Sequence, residues 1–97
     1  MPSYRLSKRA DRDLSVIADY TIQHFGIDQA RIYRDGLFKA FEMIGAFPLI
    51  GSNQDRIMKN IRRHVHESHS IYYRTNANEI IISRILGPGE DPLRHLR

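Results

Sequence analysis

The 97-residue sequence has no cysteine and no tryptophan, and it lacks any long hydrophobic run. Without cysteine, the chain has no disulfide, no thiolate metal ligand and no thiol nucleophile. A membrane span needs about 20 consecutive apolar residues, and no segment approaches that length. The N-terminus also lacks the hydrophobic segment of a signal peptide. We therefore expect a cytoplasmic protein that does not associate with membranes.

Length and composition predict one small domain over residues 1–97. Hydrophobic residues make up 41% of the chain and charged residues 27%, as is typical of a soluble globular protein. A chain of this size has room for one modest core. Its formal net charge of +4 favours an acidic partner, either a nucleic acid or an acidic protein.

The first half of the chain predicts a short strand and two helices. The strand is at residues 3–6, and Ser7 is placed to cap the helix that follows. Gly26 separates two apolar stripes at helical spacing, and we expect Asp28 to cap the second helix and Phe47 to end it. The stripes are Ala10, Leu14, Ile17, Ala18, Thr21 and Phe25, then Ala30, Tyr33, Leu37, Ala40, Phe41 and Ile44.

The second half predicts three strands. They lie at residues 61–67, 70–75 and 79–87, with turns at Ser68-His69 and Asn76-Ala77-Asn78. Helices grouped before strands indicate an α+β fold. We predict an N-terminal strand, an antiparallel helical hairpin and a three-stranded antiparallel meander. Together the strands should form one small sheet with the hairpin over one face.

The last strand is apolar on both faces, so we expect it inside the sheet with a neighbour on each side. Strict alternation places Ile80, Ile82 and Leu86 on one face and Ile85 on the other. Arg84 shares the first of these faces. A guanidinium in an apolar row needs a partner or an opening to solvent.

Histidine is frequent, with five residues in the chain. His64 and His66 share a strand face at a spacing that suits a metal ion, but the local pattern lacks a third ligand. We therefore expect no metal and no cofactor. Arg62 falls on the same face, which we expect to be exposed, polar and basic.

A set of short motifs runs in order along almost the whole chain. It comprises Tyr4-Arg5-Leu6-Ser7, Ala10, Asp13-Leu14, the segment from Ile17 to Tyr20, Gln29-Ala30, Tyr33, Phe47-Pro48, Gly51, Ile61-Arg62, Ile71-Tyr72-Tyr73-Arg74, Ile82-Ser83-Arg84-Ile85-Leu86, Asp91-Pro92 and Arg94-His95-Leu96. Together these motifs resemble the ParE toxins of the RelE/ParE superfamily. The resemblance implies a bacterial, cytoplasmic toxin of a type II toxin–antitoxin system that inhibits DNA gyrase. It also implies neutralisation by a ParD-like antitoxin.

The resemblance further implies two binding surfaces. For the target we expect a basic and aromatic surface formed by Arg62, His66, His69, Tyr73, Arg74, Arg84 and Arg94. For the antitoxin we expect the helical stripe and the basic strand, through Leu14, Ile17, Tyr33, Leu37, Arg62, Arg63 and Arg74. Toxin and antitoxin should form a hetero-oligomer. Direct binding of nucleic acid is not expected without a protein partner.

Two alternatives stay open. RelE-like relatives resemble this fold and cleave ribosome-bound mRNA, and the candidates here for such chemistry are His66, His69, Arg62, Arg84 and Tyr73. However, Lys59 is the only lysine after Lys39, and the C-terminal tail has no tyrosine. A general acid and a general base cannot both be assigned, so we favour an inhibitor that is not an enzyme. The other alternative is an antitoxin-binding module without toxicity.

One segment departs from the family pattern. Many ParE relatives follow the last strand with His-Gly-Arg-Arg-Asp or a similar sequence, whereas this chain has Gly87-Pro88-Gly89-Glu90-Asp91. A basic pair is replaced by glycine and glutamate. If that pair contributes to target engagement in the family, we expect this protein to be a weaker inhibitor or to have another target, while the fold stays the same.

Overall fold

A computed structural model describes residues 3–76 and 78–96. In chain order the elements are β1 (Ser3–Leu6), α1 (Lys8–Phe25), α2 (Ile27–Ala46), β2 (Ser52–Asn53), β3 (Ile61–His66), β4 (His69–Asn76), β5 (Glu79–Leu86) and α3 (Pro92–His95). The predicted α+β fold is confirmed, and the three later strands end within one residue of their predicted bounds. Ala77, in the second predicted turn, lies outside the described residues.

The strands form one five-stranded sheet in the order β1-β5-β4-β3-β2. β1 runs parallel to β5, and the other neighbours are antiparallel. β5 therefore has a neighbour on each side, as its two apolar faces predict. β1, the first strand in the chain, therefore pairs with β5, the last strand, which follows both helices in sequence.

The helical hairpin begins at the predicted cap. The Ser7 hydroxyl accepts a hydrogen bond from the backbone N–H of Ala10 at 3.0 Å. Gly26, at a φ of 92°, ends α1 and immediately precedes α2, which has no side-chain cap. The predicted cap at Asp28 is wrong, because α2 begins at Ile27 and Asp28 already lies in its first turn. In the described ranges, no helix is long and apolar enough to span a membrane.

Hydrophobic residues form one cluster on each face of the sheet. The larger cluster lies between the hairpin and the sheet and contains Ala10, Leu37, Ala40, Phe41, Ile44, Ile71, Tyr73, Ile80, Ile82 and Ile85. The smaller cluster contains Ile61, Tyr72, Leu86 and Leu96, with Ile57 and Met58 packed against it. The C-terminal segment thus packs back on the sheet through Leu96.

A β-bulge in β5 changes which residues face the hairpin. β4 pairs with Arg84 and with Ile82, but not with Ser83 between them. One extra residue moves every later side chain to the opposite face. Ile85 therefore joins Ile82 in the larger cluster, while Leu86 joins the smaller one. The predicted faces of Ile85 and Leu86 relative to Ile82 are wrong for this reason.

Candidate docking surface

A groove of about 720 Å³ lies between the helical hairpin and the loops that follow β3 and β5. Its lining is mostly apolar and is broad enough to receive side chains of a partner segment. We call it the hairpin groove. It is lined by Val16, Ile17, Tyr20, Thr21, Phe25, Gln29 and Tyr33 from the helices, and by Ser68, His69, Gly87, Pro88 and Glu90.

The groove exists because α1 carries more apolar side chains than the core uses. Leu14 and Ile17 pack against the larger cluster. Val16 and Tyr20 share another face of the helix at i, i+4 spacing, and they are 63% and 58% exposed. Phe25 at the end of α1 extends this exposed apolar surface. Contiguous apolar surface on a small protein usually marks an interaction site.

A tyrosine–histidine pair joins α2 to β4 at the groove. The Tyr33 hydroxyl is hydrogen-bonded to Nδ1 of His69. Burial raises the pKa of Tyr33, so its hydroxyl keeps its proton at neutral pH and donates. Burial also lowers the pKa of His69, an effect that nearby Glu90 opposes. Neutral His69 can therefore accept at Nδ1 and hold its proton on Nε2.

His66 lies beneath α2, in space that is open because residue 36 is a glycine. A Cβ built on Gly36 would lie 3.0 Å from Nε2 of His66, so the imidazole occupies the space that a side chain would need. The ring centroids of His66 and Tyr33 are 5.5 Å apart. Nε2 of His66 is buried and has no hydrogen-bond partner among the described residues. The nearest carboxylate oxygen, from Glu67, is 3.7 Å away.

The basic face of β3 is not the exposed face that the sequence predicts. Arg62 pairs in register with Tyr73, whose side chain belongs to the cluster under the hairpin. Arg62, His64 and His66 therefore lie on the helix side of the sheet, and all three are half-buried. Burial is the main cause that lowers the pKa of His64. This orientation arises because Ile61 packs into the cluster on the opposite face.

Arg84 is held by partners within the fold. Its Nε and Nη2 donate to the Asp13 carboxylate at 2.8 and 3.0 Å, and Nη1 donates to the carbonyl of His95 at 2.8 Å. The side chains of Arg84 and Asp13 are only 11% and 14% exposed. Hydrogen bonding to Asp13 raises the pKa of Arg84. The guanidinium thus joins α1, β5 and the C-terminal segment.

Asp13 also forms a hydrogen bond with the backbone at the edge of β5. β1 ends where Leu6 pairs with Ile82, so among the described residues the rest of β5 has no strand on that side. There, the Asp13 carboxylate accepts a hydrogen bond from the backbone N–H of Ile85 at 2.9 Å. The Ser7 hydroxyl donates to the carbonyl of Ser83 at 2.8 Å. The side chains of Ser7 and Asp13 therefore make hydrogen bonds to β5 that a neighbouring strand would otherwise make.

Tyr73 and Leu37, which the sequence predicts to be docking residues, lie in the core. Tyr73 is fully buried. Its hydroxyl donates to the carbonyl of Pro48 at 2.7 Å and accepts from the N–H of Gly51 at 2.9 Å. Leu37 is 1% exposed within the larger cluster. A partner could reach neither side chain without opening the core.

The remaining predicted residues are distributed over several surfaces. Arg62 donates to the carbonyl of Gly51 at 2.6 Å, and Arg63 donates to the Ser70 hydroxyl at 2.9 Å. Arg74 and Arg94 are exposed outside the groove. The predicted residues that line the hairpin groove are Ile17, Tyr33 and His69. The structure therefore does not gather either predicted set into one site.

The residues named for nuclease chemistry do not all converge. His66 and His69 pair in register and both pack against Tyr33, whereas Tyr73 is in the core. The two cations available to stabilise a phosphorane, Arg62 and Arg84, are engaged in hydrogen bonds within the fold. Across residues 3–76 and 78–96, no three metal-ligating side chains come close enough to hold an ion.

Sequence reasoning missed part of the groove. Val16 and Tyr20 could have been found as an apolar pair beside the core stripe. Glu90 gave no signal beyond the departure from the family pattern. Its carboxylate accepts from the N–H of Gly87 at 2.8 Å and closes the loop that forms one wall.

Comparison with known proteins identifies the family. A model of the ParE toxins of type II toxin–antitoxin systems, parDE, matches residues 4–92. The chain belongs to this family. The resemblance seen in the sequence is thereby confirmed.

Two relatives agree with the ParE assignment along nearly their whole length. Toxin ParE1 of Caulobacter vibrioides is 35% identical over 96 residues, which cover 99% of each chain. Toxin ParE1 of Mycobacterium tuberculosis is 35% identical over 94 residues, 96% of each chain. A chain from the chromosomal ParDE TA system of P. aeruginosa superposes with a TM-score of 0.79 at 21% identity. That match covers 90% of this chain and 96% of the other, and it shows the fold.

Proposed function

We propose that the chain acts as the toxin of a toxin–antitoxin pair, that it inhibits DNA gyrase, and that a ParD-like antitoxin neutralises it. The match to the ParE family over residues 4–92 carries the proposal. Relatives that are 35% identical over nearly their whole length and are named as toxins support it. Inhibition by binding requires no catalytic residues, in keeping with the scattered candidates for acid–base chemistry.

The hairpin groove supports the antitoxin part of the proposal. Exposed apolar side chains such as Val16 and Tyr20 are costly in water, and a docked segment would remove them from it. An amphipathic helix can place side chains at i, i+4 spacing into such a groove. The net charge of +4 favours an acidic segment and would speed its association. We therefore assign the antitoxin to the hairpin groove.

A matched pair of substitutions tests this assignment. Val16→Asp places a carboxylate in the groove, whereas Leu49→Asp places one at a residue that is 72% exposed and lies outside the groove lining. Both side chains are exposed, so both variants should fold. We expect Val16→Asp to weaken binding of the cognate antitoxin at least about tenfold by calorimetry, about 1.4 kcal/mol. Leu49→Asp should bind as the wild type does. Equal affinities for the two variants would place the antitoxin elsewhere.

The gyrase part is tested with the purified toxin. We expect it to inhibit DNA supercoiling by gyrase, and an equimolar amount of antitoxin should restore supercoiling. Expression alone should arrest division and induce the DNA-damage response. Codon-specific cutting of ribosome-bound mRNA, with supercoiling unaffected, would instead establish the RelE-like nuclease. Antitoxin binding without either activity would identify a non-toxic module.

A further inference from the structure

The sheet face away from the hairpin is only partly covered. The C-terminal segment and the connection between β2 and β3 pack over Tyr72 and Leu86. Towards the other end of β4, Arg74 is exposed and Ile81 is half-exposed. Strand register places a single row across this face, formed by Arg5, Ile81, Arg74 and Ile61. An arginine between two isoleucines is thus presented on an open part of the sheet.

A pocket of about 210 Å³ lies at this open end. Its lining residues are Lys59, Asn60, Arg74, Thr75, Asn76 and Ile81. They supply two cations and three neutral polar side chains around one apolar residue. The loop that carries Lys59 is fixed, because the N–H of Asn60 donates to the Asp55 carboxylate at 2.9 Å. Asn60 itself has a left-handed backbone with a φ of 66°.

The charges of this pocket contrast with those of Arg5 and Arg84, which are each paired with a carboxylate. Within the described part of the chain, neither Lys59 nor Arg74 takes part in an ion pair. Two unpaired cations in one concave site attract an anion, and polar neighbours can complete its hydrogen bonds.

We propose that Lys59 and Arg74 bind a backbone phosphate of duplex DNA, so that the toxin contacts DNA held by gyrase as well as the enzyme. This inference rests on the proposed function, which brings the toxin to a DNA-bound target. An arginine can donate two parallel hydrogen bonds to a phosphate, and a lysine adds a point charge. Contacts of this kind position a protein without reading bases. Two such cations alone give weak binding, which fits a role only beside a protein partner.

The test removes the two charges and compares the result with an equal loss elsewhere. The variant is Lys59→Gln/Arg74→Gln, and the control is Arg31→Gln/Lys39→Gln on exposed positions of α2. Binding to a fluorescent DNA duplex is measured by anisotropy over a range of salt concentrations. Each phosphate contact contributes about 0.9 to the slope of log affinity against log salt concentration. Because the two residues share one phosphate, we expect the slope to fall by about 0.9 in the variant relative to the control.

Inhibition of gyrase provides a second measurement. The wild type and the control should inhibit supercoiling equally, and the variant should need about tenfold more protein, with a smaller difference at high salt. An unchanged slope together with unchanged inhibition would overturn the phosphate site and leave gyrase inhibition standing. If the wild type does not inhibit gyrase, the proposed function fails, whereas the duplex measurement still tests the pocket. Tighter binding of single-stranded RNA through the same two residues would overturn the choice of DNA.

Discussion

At the scale of single residues, Arg84 shows what a sequence pattern can and cannot reveal. An arginine in an apolar strand indicates that a partner is needed. It does not identify Asp13, which lies 71 residues away in sequence. That pairing exists only because α1 packs along the uncovered edge of β5 and brings Asp13 to it. From the sequence alone, an arginine in such a row fits a binding role equally well.

We predict that Arg84→Ala lowers the free energy of unfolding by about 3 kcal/mol, because it leaves the largely buried Asp13 carboxylate without its cation. Urea denaturation measures the change. The control repeats the substitution in an Asp13→Asn background, which keeps an acceptor for Ile85 but removes the charge. There the loss should be clearly smaller. The same loss in both backgrounds would show that the ion pair contributes nothing.

We also predict a coupling between Gly36 and His66. Alanine in a helix interior is favoured over glycine by about 1 kcal/mol, but a Cβ at Gly36 would meet the His66 ring at 3.0 Å. Gly36→Ala should therefore gain little or lose stability in the wild type. In a His66→Ala background, the gain should approach the full propensity difference. A double-mutant cycle by urea denaturation measures the coupling, and zero coupling would contradict the packing described here.

At the scale of elements, the long periodic segments and the short β1 were predictable, whereas β2 and α3 were not. The helical stripes and the apolar β5 follow from periodicity, and the Ser7 cap from its residue type. β2 has two residues, which is too short for any alternation to show. α3 was missed although its start signal is present: Asp91 caps the N–H of Leu93 at 3.0 Å, and Pro92 occupies the first position. The β-bulge at Ser83 is not indicated by any residue type in the sequence around it.

The candidate site was less predictable than the fold for a related reason. A stripe of apolar residues on a helix marks the face that packs on the sheet. Leu37, a predicted docking residue, belongs to this stripe and therefore lies in the core. The groove uses a second face of α1, represented by Val16 and Tyr20. Which of two apolar faces stays exposed depends on how the helix sits on the sheet. That orientation is a property of the packed elements.

The junction of α2 with β3 and β4 predicts a dependence of stability on pH. The pKa values of His64 and His69 are lowered from 6.5, mainly by burial. As pH falls below about 6.5, the unfolded chain takes up protons before the folded chain does. The free energy of unfolding should therefore be at its full value above this pH and should decrease below it. His66 also disfavours the charged form of both histidines.

The contribution of His69 to this pH dependence can be tested by substitution. Tyr33 of α2 is hydrogen-bonded to its ring, and the carboxylates of Glu67 and Glu90 partly offset the lowering of its pKa. His69→Asn should reduce the stability lost between pH 7.5 and 5.5, measured by urea denaturation. Gln23→Asn, at an exposed position of α1 without a titratable side chain, should leave the loss unchanged. An equal loss in His69→Asn and the wild type would assign the effect to other groups.

At the scale of the whole molecule, two uncovered surfaces lie on opposite faces of the sheet. The hairpin groove is apolar and belongs to the helix side. The pocket with Lys59 and Arg74 is basic and belongs to the other side. An antitoxin and a DNA phosphate therefore need not compete for the same residues. The antitoxin would then neutralise the toxin by blocking its contact with gyrase or by steric hindrance.

The antitoxin should also stabilise the toxin against unfolding, because it binds the folded chain and not the unfolded one. At a free antitoxin concentration 100 times the Kd, this linkage adds about 2.7 kcal/mol to the free energy of unfolding. We expect the Tm of the wild type to rise progressively with antitoxin concentration in scanning calorimetry. Leu49→Asp should show the same rise, and Val16→Asp a markedly smaller one at equal concentrations, since its carboxylate lies in the groove. A rise in Val16→Asp equal to that of the wild type would mean that the stabilising contact lies outside the hairpin groove.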